Sequence, residues 1–207
     1  MSDTLVALGR IDVDDELEFS QTCHQVLELM EFCHGHLKNE DAGIHPALEE
    51  RAPSSTHTVA AEHRQHAIDI ERIASETKRL LGLPPASRAA SALALYHQLS
   101  LFIAHNFEHL LVEERKHNAL LWAHYTDAEL HGIEQRLLAS MPPSEMMTGL
   151  RWMLPALSPT ERAGLMFALQ KDAPPAVFQA LLDLARKHLD ATQWHKLVRA
   201  LALHHGM

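Results

Sequence analysis

Cysteine is nearly absent from this 207-residue chain: Cys23 and Cys33 are too few to frame a disulfide fold and are expected to stay reduced in a cytoplasm. No basic stripe is present either. The formal net charge of -9 is spread along the chain, which argues against a nucleic-acid surface, where lysine and arginine must neutralise phosphates. No apolar run approaches the roughly 18 residues of a membrane span. The N-terminus, MSDTLVALGRIDVDDE, is acidic and lacks a long apolar segment, so no secretory signal is read there. No segment alternates apolar and polar residues with the period of two that a strand requires. What remains is a globular composition, 46% hydrophobic and 22% charged, which excludes a disordered chain and suffices for one good core and a smaller second unit. Glycine is scarce at 8 residues and histidine abundant at 17; the second count is the one that bears on chemistry.

The pattern is helical almost throughout. From Asp14 to about Lys38, Leu17, Val26, Leu27, Met30 and Leu37 recur at spacings that give one buried face. Pro46 cannot donate a helical hydrogen bond, so the helix is expected to break or shift near AGIHPALEER. A second helix starts near PSSTHT, whose serines and threonines can cap free amides, and Gly82 with Pro84-Pro85 ends it. The third runs from about Ser87 to His124, with Leu95, Leu99, Phe102, Leu110 and Leu121 among its apolar members. Beyond about residue 141 the helices shorten and proline marks their starts, in SMPPSE, LSPTER and DAPPAV. Ser158-Pro159-Thr160-Glu161 fits a capping box. The expectation is an all-α chain with a helical bundle over residues 1–140 and a short-helix extension, 141–207, packed on it.

Two segments share one spacing. HLKNED places His36 four residues before Glu40, and HLLVEE places His109 four before Glu113, 73 residues later. In a helix residues four apart lie only about 40° apart, so each pair points one way. If both pairs face a bundle interior, two imidazoles and two carboxylates converge, a donor set suited to iron, manganese or zinc. A single such pair is weak evidence, since it also stabilises exposed helix surfaces; the repeat on two long helices is stronger. The helix between them offers His63 as a third imidazole, with His66 one turn later as the alternative. His105, one turn before His109, reads as a neighbour of the site or as a substitute ligand. Asp41 and Glu114 are candidates to hold the outer nitrogens of ligating imidazoles. His24 and His34 point away from the face of His36, His117 reads as a surface residue, and His45 before Pro46 as a loop residue that is not a ligand. Cys33 reads as a small buried apolar group.

On these residues the chain resembles the hemerythrin-like, HHE cation-binding proteins of bacteria. The resemblance runs from TLVALGRID through HLKNEDAGIHPALEERAP, AAEHRQH, HLLVEE and LWAHYTDAEL to RWMLPALSPTER, nearly the whole chain. It implies an up-and-down four-helix bundle holding two non-haem irons, with zinc or manganese as alternatives. His36, His63 and His109 would be terminal ligands, and Glu40 and Glu113 bridging carboxylates. The five-histidine oxygen-carrier pattern is not met, because Ala67 stands where its second histidine would be. Nor does a histidine precede His24, where the family expects one on a first helix. That departure implies a missing first helix, with Met1 an internal methionine, and a homodimer formed by helix exchange. The function implied is binding or sensing of O₂, NO, peroxide or iron. The alternatives are a di-iron enzyme that reduces peroxide or NO or oxidises ferrous iron, and a metal-free or mononuclear helical module that binds a partner.

Overall fold

Helices account for nearly all of the computed structural model, which describes residues 1–204, and no strand occurs among the described residues. A short helix, α1 (Ser2–Gly9), precedes the first long one, α2 (Glu16–Arg51). Asp15 sets the start of α2: its carboxylate accepts from the amides of Leu17 (2.9 Å) and Glu18 (3.0 Å), two of the donors that a helix start leaves free.

The expected break at Pro46 does not occur, and α2 continues to Arg51. A proline inside a helix frees the carbonyl four residues back and costs about 3 kcal/mol. Here that carbonyl belongs to Ala42, and both Ala42 and Pro46 are exposed, so water can take it. Buried Leu37, His45, Ala47 and Leu48 lie on the other side and hold the helix on its course. His45 is therefore a buried helical residue, not a loop residue.

The loop to α3 (His57–Leu81) is organised by an acid, not by the expected serine and threonine caps. Glu49 accepts from the Ser54 amide (2.7 Å), the Thr56 amide (2.9 Å) and the Thr56 hydroxyl (2.6 Å). These bonds hold its carboxyl down at about 2. They also steady Ser54, whose φ of 69° lies in the left-handed region. After a 3₁₀ turn at Pro85–Ser87, α4 (Arg88–Val112) passes through one π-helical turn (Glu113–His117) into α5 (Asn118–His124), much as the sequence predicts for 87–124. Then follows α6 (Asp127–Ser140).

These elements form a unit from Met1 to Ser140, in which α3 packs on both α2 and α4, α1 rests on α2 and α4, and α6 on α2. Its two ends differ in kind. One is apolar, built from Phe19, Val26, Met30, Ile73, Leu95 and Leu99. It is closed by Arg88, which bonds Glu16 at 2.8 Å and lies 4.1 Å over the Phe19 ring. The other end is where the histidines gather. It is latched by Tyr125, whose hydroxyl donates to the Ala47 carbonyl at 2.7 Å, and by Arg51, which bonds Glu129 at 3.0 Å.

A second compact unit begins at Met141. It holds α7 (Pro143–Ala156), α8 (Pro159–Asp172), α9 (Pro175–His188) and α10 (Ala191–His204), around Leu150, Leu154, Met166, Leu181, Ala185 and Leu197. Proline opens three of them, as read from the sequence, and the capping box of Ser158 and Glu161 is formed. Arg162 is buried and ties off the end of α7 by donating to the carbonyls of Leu154 (2.6 Å) and Leu157 (2.7 Å). No helix among the described residues is long and apolar enough to cross a membrane.

Candidate metal centre

Three long helices each send acids and imidazoles into the same end of the first unit. From α2 come His36, Glu40, Asp41 and His45; from α3, Glu62, His63 and His66; from α4 and its π turn, His109, Glu113 and His117. One ligand atom from each of Glu40, His63, His109 and Glu113 lies within 4.8 Å of the others. The separations are shorter still where they converge. His63 Nε2 is 3.6 Å from Glu40 and 3.5 Å from Glu113. His109 Nε2 is 3.3 Å from Glu113 and 3.1 Å from His63 Nε2. His36 Nε2 stands 3.4 Å from the other Glu40 oxygen.

The last imidazole pair is the most telling. His63 Nδ1–H donates to Asp41 at 2.7 Å, and His109 Nδ1–H donates to Glu62 at 2.9 Å. With the outer nitrogens carrying those hydrogens, both Nε2 atoms present lone pairs to one another across 3.1 Å. Facing lone pairs need a cation between them, either a proton or a metal. Two donors each about 2.1 Å from one ion sit roughly 3.0–3.5 Å apart in octahedral or tetrahedral geometry, close to the 3.1 Å between the two imidazole nitrogens and the 3.3 and 3.5 Å from them to Glu113. Holding the outer imidazole nitrogen by a carboxylate is also the usual way to fix a metal-ligating histidine.

The local electrostatics tell the same story from the metal-free side. Burial pushes the Glu40 carboxyl up to about 8, and the Glu113 carboxylate adds to it. Burial also opposes charge on Glu113, but hydrogen bonds from His109 and His63 outweigh it and hold that carboxyl well below its ordinary range. Burial disfavours charge on His109, yet its bonds to Glu113 and Glu62 win and raise it to about 9. His63 is raised for the same reason, through Glu113 and Asp41. Protons thus occupy the place of a cation. His36 Nε2 and Glu40 Oε2 remain buried with no hydrogen-bond partner among the described residues, as expected of donors shaped for an ion.

The π turn has a part in this. The Asn118 amide bonds the Glu113 carbonyl five residues back, so the turn is wider than an α turn. In a regular helix, His117 would have rotated about 80° from His109 over two four-residue steps; the wider turn brings it back inward. His117 is 4% exposed, a correction to its reading as a surface residue. His45 is corrected likewise: it is 7% exposed, stacks on His63 with ring centroids 4.8 Å apart, and donates through Nδ1 to Asp41 at 2.9 Å. Glu62 is the third residue missed, and it does for His109 what was expected of Glu114, which is exposed.

His66 is buried and packs edge-on against His109 at 4.9 Å, but it lies outside the four-residue group; burial lowers it to about 4, so it stays neutral. His105, the proposed substitute ligand, is exposed. Both line a cavity of about 410 Å³, with Glu62, Gln65, Glu108, His109 and Val112, that opens beside His109. His24 and His34 are exposed, as expected, and Cys33 is buried and pushed by burial up to about 12. The chain matches no family model, no curated protein and no solved structure.

Proposed function

We propose that this chain is a metal-binding protein of the hemerythrin-like type, in which Glu40, His63, His109 and Glu113, flanked by His36, hold a first-row transition metal, with iron the favoured ion. The observation that carries this reading is the pair of imidazole lone pairs facing across 3.1 Å while carboxylates hold both outer nitrogens. That arrangement stores repulsion unless a cation, a proton or a metal ion, lies between the two nitrogens. Neutral imidazoles with carboxylates suit iron, manganese and zinc, and the hard oxygen donors disfavour a copper(I) site.

When bound, a redox-active ion with an open coordination position supplies reversible binding or reduction of a small ligand such as O₂, NO or peroxide. The chain's own part is to fix the donors. Asp41 and Glu62 hold the outer nitrogens of His63 and His109, so that Nε2 of each is the nitrogen turned inward toward an ion. The cavity beside His109 gives a small molecule a way in between α3 and α4.

The experiment is metal content per chain, by plasma mass spectrometry, on protein grown with ample iron and purified without chelator. Glu113→Ala should lower it at least tenfold. Glu134→Ala should not change it, since Glu134 pairs with His131 at 3.3 Å on the exposed surface and serves as the control His–Glu pair. Equal effects of the two substitutions would overturn the reading.

A further inference from the structure

The outward side of α4 lacks what a surface helix ordinarily carries there, which is charge. On α3 that side holds Arg64, Glu71, Arg72, Lys78 and Arg79. From Ala89 to Leu111, Glu108 is the sole aspartate, glutamate, lysine or arginine of α4. One side of α4 packs on α1 and α3. The other faces water with Leu93 57%, Leu101 62%, Phe107 51% and Leu111 46% exposed.

These side chains are not scattered. Leu93, His97, Ser100, Ala104, Phe107 and Leu111 follow one another at steps of four, three, four, three and four residues, the spacing by which two helices pack along a seam. All are exposed except Ser100, which is half-buried, and its hydroxyl is already satisfied by donating to the Tyr96 carbonyl at 2.7 Å.

We propose that the chain forms a two-fold symmetric dimer in which α4 packs antiparallel on α4 of a second copy along this seam. The proposal goes beyond the metal-binding reading and does not depend on it, since no residue of the four-residue metal group lies on the seam. Charge selects the occupant. Each chain carries -9, so two copies meet at least cost on a face almost free of acids. The same net charge, with no lysine or arginine on the stripe, disfavours an anionic lipid surface, which draws helices with a basic polar face.

Glu108 sets the direction. In a parallel pair the two Glu108 carboxylates would stand side by side. An antiparallel pair centred near residue 102 separates them by about 18 Å along the helices and brings each within a turn of His97 on the other copy. That register also sets Leu93 against Leu111 and Phe107 against His97 toward the ends. Ser100 meets Ala104 at the middle, where small side chains let the helices come close. At roughly 200 Å² for a whole large side chain, the four exposed ones leave about 400 Å² of apolar surface on each copy. A stable interface takes about 600–1,000 Å² per partner, so the alanines and His97 have to supply the rest. The expected association is therefore micromolar rather than nanomolar.

Analytical ultracentrifugation of the whole chain across the micromolar range provides the test. The wild type should pass from the single-chain mass of 23.2 kDa toward twice that value. Ala104→Glu and Phe107→Asp, each at an exposed position, should hold the single-chain mass throughout, with wild-type helicity and metal content. Ile68→Glu, on α3 at a site 58% exposed, should dimerise as the wild type does. A nitroxide on Ala90→Cys, about 12 residues from the centre, should stand about 36 Å from its equal, whereas a parallel pair would bring the two backbones to about 10 Å. Cys23 and Cys33 are buried and do not compete for the label. A wild type that stays at the single-chain mass overturns the proposal. So does a dimer that survives both α4 substitutions, or a short distance between the labels. The wild-type mass decides the matter even if a variant fails to fold.

Discussion

Raising the pH should destabilise the metal-free protein and leave the metal-loaded protein almost unchanged. His109 is raised from its ordinary 6.5 to about 9, and Glu40 from 4.5 to about 8. A raised value means that the folded state binds the proton more tightly. The stability it contributes is complete below the unfolded value and is lost as pH rises through the folded one. For His109 that loss runs from about 6.5 to about 9; for Glu40 it starts lower and ends near 8. The residues shifted the other way act elsewhere: Glu113, held low, and His66, lowered to about 4, add stability that is lost only as the solution turns acidic. At 1.36 kcal/mol per unit the His109 shift alone is worth about 3 kcal/mol, and its side chain is 2% exposed, so solvent does little to screen it. Glu40 and His109 share one cluster, so their contributions do not simply add. Metal replaces these protons and removes the dependence. Urea unfolding at several pH values between 6.5 and 9, with chelator and then with iron(II) or zinc(II), measures the difference. The upper limit avoids the buried thiols Cys23 and Cys33, raised to about 11 and 12, whose own loss of stability begins above their ordinary value of 9. A metal-free stability that is flat or rising across this window would refute the proton-for-metal argument.

Asp41→Asn and Glu62→Gln should each weaken metal binding roughly 10- to 100-fold, because each loosens the outer nitrogen of a ligating imidazole; competition against a chromophoric chelator reads this directly. Asp41→Asn should be the more damaging, since that one carboxylate holds both His63 and His45. In the apolar half, Leu99→Ala should cost about 2–5 kcal/mol in chemical denaturation, as Leu99 is fully buried, while the metal content of the folded fraction stays the same.

Much of this was legible in the sequence. The doubled His-x-x-x-Glu spacing, the helical periodicity around it and the capping box at Ser158 are local patterns, and local patterns survive translation into structure. His45 was not legible, because the rule that proline breaks a helix was set against packing that only the folded chain displays: buried Leu37, Ala47 and Leu48 on one side, exposed Ala42 and Pro46 on the other. His117 stands four residues after Glu113, a third beat of the same spacing, but an α-helical wheel turns it outward. Only the π turn brings it in, and nothing in EERKH announces one. Glu62 was hidden by its place beside His63, since adjacent helical residues point about 100° apart; it reaches His109 because α3 and α4 pack closely there, a long-range contact that no local spacing encodes.

The central claim is tested most directly by X-ray diffraction from crystals grown with iron, with data collected at the iron absorption edge. The account predicts an anomalous peak among Glu40, His63, His109 and Glu113, about 2.1 Å from both inward imidazole nitrogens. No peak there, with iron only on exposed histidines such as His24 and His131, would contradict it.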